Sequence, residues 1–203
     1  MPKIVDHEQR RAELADAALD VIAHQGIKAV TLRAVARAAG WSTGVLNHYY
    51  ESHHALLVGA LRRAAEIQGR MFKEIRGDAA MDPMSRLHKL IESVLPLDDR
   101  RVAMTRIFLV FSAEAAATPE AREEVADYLH NWRRVVRRVI AEAQEAGQLP
   151  AELDAGALAA ELVALSDGLA MHAMLDEDVL DQLVSRKKLR IELIGGAWRL
   201  GLD

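Results

Sequence analysis

The sequence predicts an all-α protein of about nine helices. Apolar residues recur at spacings of three, four and seven along segments rich in Ala, Leu, Arg and Glu, which is the pattern of helices with one buried face. β-Branched residues seldom cluster, and five Pro and twelve Gly separate these segments. With 203 residues, 51% hydrophobic and 28% charged, the chain is long enough for one or two domains with a sizeable core, which excludes a disordered or fibrous chain.

The first four predicted helices are bounded by polar capping residues and glycines. Asp6 and Gln9 have the spacing of a capping box that begins helix 1, and Gly26 ends that helix. Hydroxyl side chains precede the next three apolar segments, which predicts that helices 2, 3 and 4 begin after Thr31, Ser42 and Ser52. Helix 2 is expected to close at Gly40, and the short helix 3 at about Tyr49.

Five longer helices are expected in the remainder of the chain. Helices 5 to 8 are predicted to begin at capping residues, two of them followed by Pro at the first helical position: Asp82-Pro83, Asp98-Asp99, Thr118-Pro119 and Asp154. Helix 7 is predicted to end between Gly147 and Pro150. A turn at residues 176–178 precedes helix 9, which is expected to continue to about Trp198.

Composition excludes several kinds of chemistry. The absence of Cys removes disulfides, Cys-ligated zinc and thiol catalysis. No apolar run approaches the roughly 20 residues of a membrane-spanning helix, and the start MPKIVDHEQRR lacks a signal-like stretch, so we expect a cytoplasmic protein without a membrane partner. The net charge of -4 gives no overall attraction to nucleic acid, although residues 1–50 carry six Lys and Arg against five Asp and Glu. DNA binding would therefore depend on local features.

Residues 31–54 have the pattern of a helix-turn-helix, with Gly40-Trp41-Ser42 as the turn. In such a motif the second helix is presented to the major groove of DNA. Leu46 and Tyr50, four residues apart, are expected to face inward, which turns a polar set outward: Thr43, Gly44, Asn47 and His48.

The outward set carries the chemistry that groove reading requires. Gly44 allows the backbone to approach DNA closely, and Ser42 and Thr43 offer hydroxyls and free amides for a phosphate. Asn47 can pair bidentately with an adenine edge. This segment therefore predicts binding to double-stranded DNA.

Residues 8–61 resemble the DNA-binding region of the tetracycline-repressor (TetR) family. The run T-L-R-x-V-A-x-x-A-G from Thr31 and the run S-T-G-V-L-N-H-Y-Y from Ser42 follow the family pattern in order and spacing, and the His-Tyr-Tyr ending is similar to the choline-responsive BetI-type branch. The resemblance implies a ligand-responsive homodimeric repressor on a palindromic operator, which catalyses no reaction and needs no cofactor. It divides the chain into a DNA-binding domain at 1–50 and an effector and dimerisation domain at 51–203, with helix 4, at about 52–75, as connector. The resemblance implies DNA contacts at six positions: Thr31, Ser42, Thr43, Asn47, His48 and Tyr49. Three neighbours join the predicted DNA-binding set because of their chemistry: Arg33, Gly44 and His53.

Two positions depart from the family pattern. Trp41 stands where a small aliphatic residue is usual, so it must find room in the turn or lie against solvent or DNA. His53 stands where a Lys usually contacts phosphate. A His near its reference pKa of about 6.5 is mostly neutral at pH 7.5, which weakens that contact.

Apolar stripes in the second region could line a cavity for an unknown small-molecule effector, although core packing explains any single one of these residues more readily. The candidates are Phe72, His88, Met104, Phe108, Phe111, Trp132, Met171 and His172. Further polar candidates on the same stripes are Ser112, Glu114, His130 and Asn131.

Leucines step by four, three and four residues along helix 8, the spacing of a helix-pairing seam. With glycines and an aromatic residue of helix 9 they form the expected dimer interface: Leu158, Leu162, Leu165, Leu169, Gly195 and Trp198. Packing of this stripe on helix 7 within one chain is the alternative.

Two other functional classes stay open from the residues alone. A di-iron carboxylate enzyme needs paired Glu-x-x-His motifs, and only Glu51-x-x-His54 fits, with Asp127-x-x-His130 as an imperfect second copy. A dimeric helical scaffold without DNA binding is compatible with the modest charge and the missing Lys. A metal site at His48, His53 and His54 is disfavoured, because neighbouring histidines at a helix start point in different directions.

Overall fold

The computed structural model describes residues 7–185, 189–194 and 196–202. These contain nine α-helices, a one-turn 3₁₀ helix at Ile27–Ala29 and one β-hairpin. The elements are α1 (His7–Gln25), α2 (Leu32–Ala38), α3 (Thr43–Tyr49), α4 (His53–Gly77), α5 (Pro83–Ser93), α6 (Asp99–Ala115), α7 (Pro119–Glu145), α8 (Ala155–Leu175), α9 (Glu177–Ser185), β1 (Leu189–Ile194) and β2 (Ala197–Leu202).

Side-chain caps begin six of the helices where the sequence predicts them. Each capping oxygen accepts a backbone N–H from the first turn, which satisfies a donor that has no partner inside the helix. The six caps are Thr31, Ser42, Ser52, Asp82, Asp98 and Asp154. Thr118 is an exception, because its hydroxyl donates back to the carbonyl of Glu114 at 3.3 Å. Asp6 lies outside the described residues.

Helices α1, α2 and α3 share one hydrophobic core with α4 and α6. Leu14, Val35 and Leu46 of α1, α2 and α3 belong to the same buried cluster as Leu56 of α4 and Ile107 of α6. The core therefore continues across residue 50, so a displacement of α4 or α6 is transmitted to the first three helices by direct packing.

A second core cluster lies between the end of α4 and helices α5, α7 and α8. Trp132 of α7 is fully buried and stacks on Phe72 of α4, with ring centroids 4.4 Å apart. Leu87 of α5 and Leu162 of α8, both without exposed surface, belong to the same cluster. Helices α4, α5, α7 and α8 thus form a bundle, and the first part of α4 connects it to the N-terminal core.

The C-terminal segment is a hairpin, and the prediction that helix 9 continues to Trp198 is wrong. Helix α9 ends at Ser185, and β1 pairs antiparallel with β2 so that Leu193 lies opposite Trp198. Apolar residues alternate with period two along both strands, and Gly196 takes φ +82° in the turn, a conformation that suits Gly. Gly195 lies outside the described residues.

Helix α8 corrects the expectation that no apolar segment approaches the length of a membrane-spanning helix. By length and composition alone, α8 is long enough and apolar enough to cross a membrane, and it is the one such helix among the described residues. Its inner face carries Leu158, Ala159 and Val163, which are buried in the second cluster, and the helix packs chiefly on α7. That placement is typical of the core helix of a bundle.

Candidate functional sites

Helix α3 has the two faces that the sequence predicts. Leu46 is fully buried and Tyr50 is 4% exposed, whereas Thr43, Gly44, Asn47 and His48 are exposed. The outward set therefore lies on the free surface of the helix.

The inward face of α3 is fixed by contacts with α1 and α4. The hydroxyl of Tyr50 donates to the carbonyl of Arg11 at 3.2 Å, and burial raises the pKa of this phenol. Its ring lies so close to Gly59 that a Cβ there would be 2.5 Å from the ring. The absence of a side chain at Gly59 thus makes room for the Tyr50 ring, which holds the end of α3 in place.

The other predicted DNA-binding residues lie at the starts of α2, α3 and α4. Thr31, Ser42 and His53 are exposed, and the exposed Arg33 is one position into α2. Because Thr31 and Ser42 use their oxygens as acceptors in the caps, their hydroxyl hydrogens stay available to donate to a phosphate.

Tyr49 and Trp41 are held by the first turns of α1. The hydroxyl of the half-buried Tyr49 is 3.1 Å from Nδ1 of His7. Trp41 packs against the N-terminal core, and the guanidinium of Arg10 lies over its ring, 3.7 Å from the centroid. The bulky turn residue therefore has a partner, which sequence reasoning did not find.

Three histidines, His48, His53 and His54, lie near the start of α4. No group of three or more metal-binding side chains occurs in the part of the chain that the structure describes. Nδ1 of His54 instead lies 3.7 Å from a carboxylate oxygen of Glu114. The ligand set of a di-iron enzyme is thus not assembled around this residue.

A cavity of about 50 Å³ lies where α4, α6, α7 and α8 meet. Its walls include Gln68 of α4, Tyr128 of α7 and Asp167 of α8. The remaining walls come from α5, α6 and α8 and from the residues that follow α5: Ser93, Val94, Arg101, Met104, Thr105, Phe108, Leu109, Ala170 and Met171.

The polar groups in this cavity are unusual for a bundle core. Tyr128 donates to Oε1 of Gln68 at 2.7 Å, and its ring is 4.8 Å from that of Phe108. Burial raises the pKa of Asp167 to about 7, although Arg133 opposes the shift. Within the described residues neither a hydrogen bond nor a close ion pair reaches the Asp167 carboxylate, and the charge of Arg133 offsets the effect of burial only in part.

The predicted effector residues divide between several places. Met104, Phe108 and Met171 line this cavity. Phe72, Trp132 and Asn131 line a neighbouring cavity of about 250 Å³, which shares Gln68 and Tyr128 with the first. The other candidates line neither cavity. Phe111 lies in the N-terminal core, and His88 is hydrogen-bonded to the carbonyl of Met84 and the amide of Ile191. The remaining four are the half-buried Ser112 and Glu114 and the exposed His130 and His172.

Sequence reasoning missed Gln68, Tyr128 and Asp167. For Asp167 a signal was present, because it is an acid within the otherwise apolar run LVALSDGLAM of α8. Gln68 and Tyr128 carry no such signal, since each is one polar residue in a helix with many.

Arg106 connects the cavity wall to the N-terminal helices. Its Nη1 donates to the carbonyls of Ile22 and Ala23 at 2.9 and 2.7 Å, at the carboxyl end of α1. The cavity residues Thr105 and Phe108 lie on the same helix, α6.

The leucine stripe of α8 is split by burial. Leu158 and Leu162 are buried within this chain, and Trp198 is too, with its indole N–H donating to the carbonyl of Leu158 at 2.8 Å. These three side chains therefore have no surface to offer a partner. Leu165 is 39% exposed, and the large hydrophobic side chains left exposed among the described residues all lie on α8: Leu165, Met171 and Leu175.

An exposed polar helix on a helix-turn-helix, placed on a bundle with an internal cavity, defines a DNA-binding protein of the helix-turn-helix class. Residues 14–60 match the family of bacterial regulatory proteins of the tetR type, and residues 83–192 match the C-terminal domain of BetI-type transcriptional repressors. The chain belongs to the TetR family of transcriptional regulators.

Relatives support this assignment over most of the chain. The transcriptional regulator PksA of Bacillus subtilis is 30% identical over 87% of this chain and 84% of its own. The regulator BetI of Paraburkholderia phytofirmans is 30% identical over 89% and 90%. A regulator from Saccharomonospora viridis, solved in complex with choline, shares the fold with a TM-score of 0.72 at 24% identity, over 88% of this chain and 95% of that one.

Proposed function

We propose that the protein is a homodimeric repressor that binds a palindromic operator and releases it when a small organic cation occupies the Asp167 cavity. The observation that carries the DNA-binding part is the anchored α3 helix with its exposed polar face. The proposed division places residues 1–50 at the DNA and residues 51–203 in effector binding and dimerisation. A regulator of this kind works in the cytoplasm.

The exposed residues of α3 have separate roles in this proposal. Asn47 and His48 face base edges, and Gly44 lets the helix backbone enter the groove. Thr31, Arg33, Ser42, Thr43, Tyr49 and His53 contact phosphates on either side, which fixes the register without reading sequence.

Three features support an organic cation as effector. Asp167 presents an acid that no hydrogen bond or close ion pair of the described residues engages, and the neighbouring rings of Phe108 and Tyr128 offer faces that attract a cation. The similar regulator from Saccharomonospora viridis was solved with choline, which has this chemistry.

The size of the cavity supports coupling between effector and DNA. A volume of about 50 Å³ holds water rather than a ligand, whereas ligand pockets measure roughly 300 Å³ or more. Binding must therefore separate α4, α6, α7 and α8. Since α4 and α6 pack on the N-terminal helices, and Arg106 bonds to α1, this expansion favours a different placement of the reading helices.

The exposed apolar face of α8 supports the dimer. A single short reading helix buries little surface, and operators with two-fold symmetry require two heads about 34 Å apart. Leu165, Met171 and Leu175 are the large apolar side chains available for that contact.

Selection from a pool of random duplexes tests DNA reading. We expect enrichment of a site with two-fold symmetry, bound by two chains. If no sequence is enriched over the starting pool at any salt concentration, the result would favour a helical scaffold that does not read DNA.

Calorimetric titration with choline tests the cavity. We expect choline to bind the wild type and to bind Asp167→Asn at least tenfold more weakly, since the variant removes the carboxylate. Glu145→Gln, which removes an exposed carboxylate from the end of α7, is the control and should bind like the wild type. Equal affinity of all three would remove Asp167 from the effector site.

A further inference from the structure

The first turns of α1 touch the helix-turn-helix at two points. Nδ1 of His7 is 3.1 Å from the hydroxyl of Tyr49, at the end of α3. One turn further along α1, Arg10 lies over Trp41, directly before the capping residue of α3. The start of α1 is therefore placed beside both ends of the proposed reading helix.

The guanidinium of Arg10 is held but not satisfied. Its central carbon lies over the Trp41 ring, 3.7 Å from the centroid, and an aromatic ring below a guanidinium takes up none of its N–H groups as a hydrogen-bond acceptor would. Nε of Arg10 is 3.7 Å from a carboxylate oxygen of Glu13, a distance typical of a loose ion pair and beyond hydrogen-bond distance. No hydrogen bond from Arg10 to another described residue is formed, and its side chain is 24% exposed.

We propose that Arg10, oriented by Trp41, binds a backbone phosphate of the DNA next to α3. The inference rests on the proposed DNA-binding function and adds α1 to the interface. An Arg presents parallel N–H groups to phosphate oxygens, and stacking restricts the side chain before DNA arrives. The same contact explains what Trp41 does in the turn, because a small aliphatic residue there would leave Arg10 without its platform.

A phosphate contact by Arg10 matters because the helix-turn-helix itself carries few cationic side chains. Residues 31–54 hold two arginines, Arg33 and Arg37, and the start of α4 carries the exposed His53 in place of a Lys. Arg10 supplies a permanent cation at the turn, where the exposed Ser42 and Thr43 offer only hydroxyls and amides. The ion pair with Glu13 is an exposed i,i+3 pair, which a phosphate can replace at small cost.

Binding of the full-length protein to operator and to random duplex, measured by fluorescence anisotropy over a salt series, tests the proposal. Arg10→Gln should weaken binding to both duplexes by the same factor, because a phosphate contact carries no sequence information. The slope of log K against log salt should become shallower by about 0.9. Arg134→Gln, an exposed arginine on α7, is the matched control and should keep the wild-type slope.

Two further variants separate phosphate binding from a purely structural role. Arg10→Lys keeps the charge and should keep the slope, while Trp41→Leu keeps the charge but should weaken binding to both duplexes. In the Trp41→Leu background Arg10→Gln should then cost less than in the wild type. The melting temperature of each variant reports how far the stack merely stabilises the turn.

An unchanged salt slope for Arg10→Gln would overturn the proposal, whether or not its melting temperature falls. A wild type that binds neither duplex would overturn the proposed function together with this inference. A wild type that binds both, with Arg10→Gln indistinguishable from it, would overturn the inference alone.

Discussion

Replacement of Asp167 by Asn should stabilise the protein at alkaline pH. Asp167 is half-buried at the cavity between α4, α6, α7 and α8, and this partial burial raises its pKa from an ordinary 3.8 to about 7. An acid whose pKa is higher in the folded state binds its proton more tightly there than in the unfolded chain. Its contribution to stability is therefore most favourable below pH 3.8 and is lost as pH rises to about 7.

The size of the effect follows from the pKa shift. Each unit corresponds to about 1.4 kcal/mol, so Asp167 costs about 4 kcal/mol at pH 8, where it is ionised in the folded chain, and about 1.5 kcal/mol at pH 5, where it must take up a proton on folding. Because Asn resembles the protonated acid in shape and charge, Asp167→Asn should recover most of this cost. The gain should be larger at pH 8 than at pH 5 by about 2.5 kcal/mol.

Urea unfolding followed by helical circular dichroism, at equal protein concentration and at both pH values, measures the gain. Glu145→Gln serves as the control for loss of an exposed charge. A gain that is the same at pH 5 and pH 8 would refute the assignment of a raised pKa to Asp167. Choline, which has no titrating group, should bind about tenfold more weakly at pH 6 than at pH 8, since it must displace the proton.

Three other variants test separate parts of the account. His53→Lys should tighten operator binding and steepen the salt slope by about one unit, and an unchanged affinity and slope would mean that His53 does not touch the DNA backbone. Leu165→Ala should keep helicity but raise the dimer dissociation constant in sedimentation, and loss of folding without any folded monomer would show the leucine to be core. Arg106→Gln should reduce the factor by which choline weakens operator binding, and an unchanged factor would exclude this link.

The N-terminal helices were predictable because their signals are local. Thr31, Ser42 and Ser52 cap the helices that follow them, and the spacing of Leu46 and Tyr50 already determines which side of α3 faces outward. The same local rules predicted the starts of α5, α6 and α8.

Other features depend on contacts between distant segments and so escaped prediction. The cavity requires Gln68, Tyr128 and Asp167, which come from three helices and are separated by 60 and 39 residues. The spacing of Leu158 and Leu162 could not show whether their partner is the same chain or a second copy. The hairpin is hard to predict because a period-two pattern in two six-residue strands is too short to stand out from the helical pattern of the residues before it.

The ratio of operator affinity to random-duplex affinity, in the wild type and in Asn47→Ala, tests most directly the claim that α3 reads DNA. We expect Asn47→Ala to bind the operator about 1 to 3 kcal/mol more weakly and to bind random duplex almost as the wild type does, because a base contact is lost while the phosphate contacts remain. Equal loss on both duplexes would contradict base reading by Asn47 and with it the proposed role of α3.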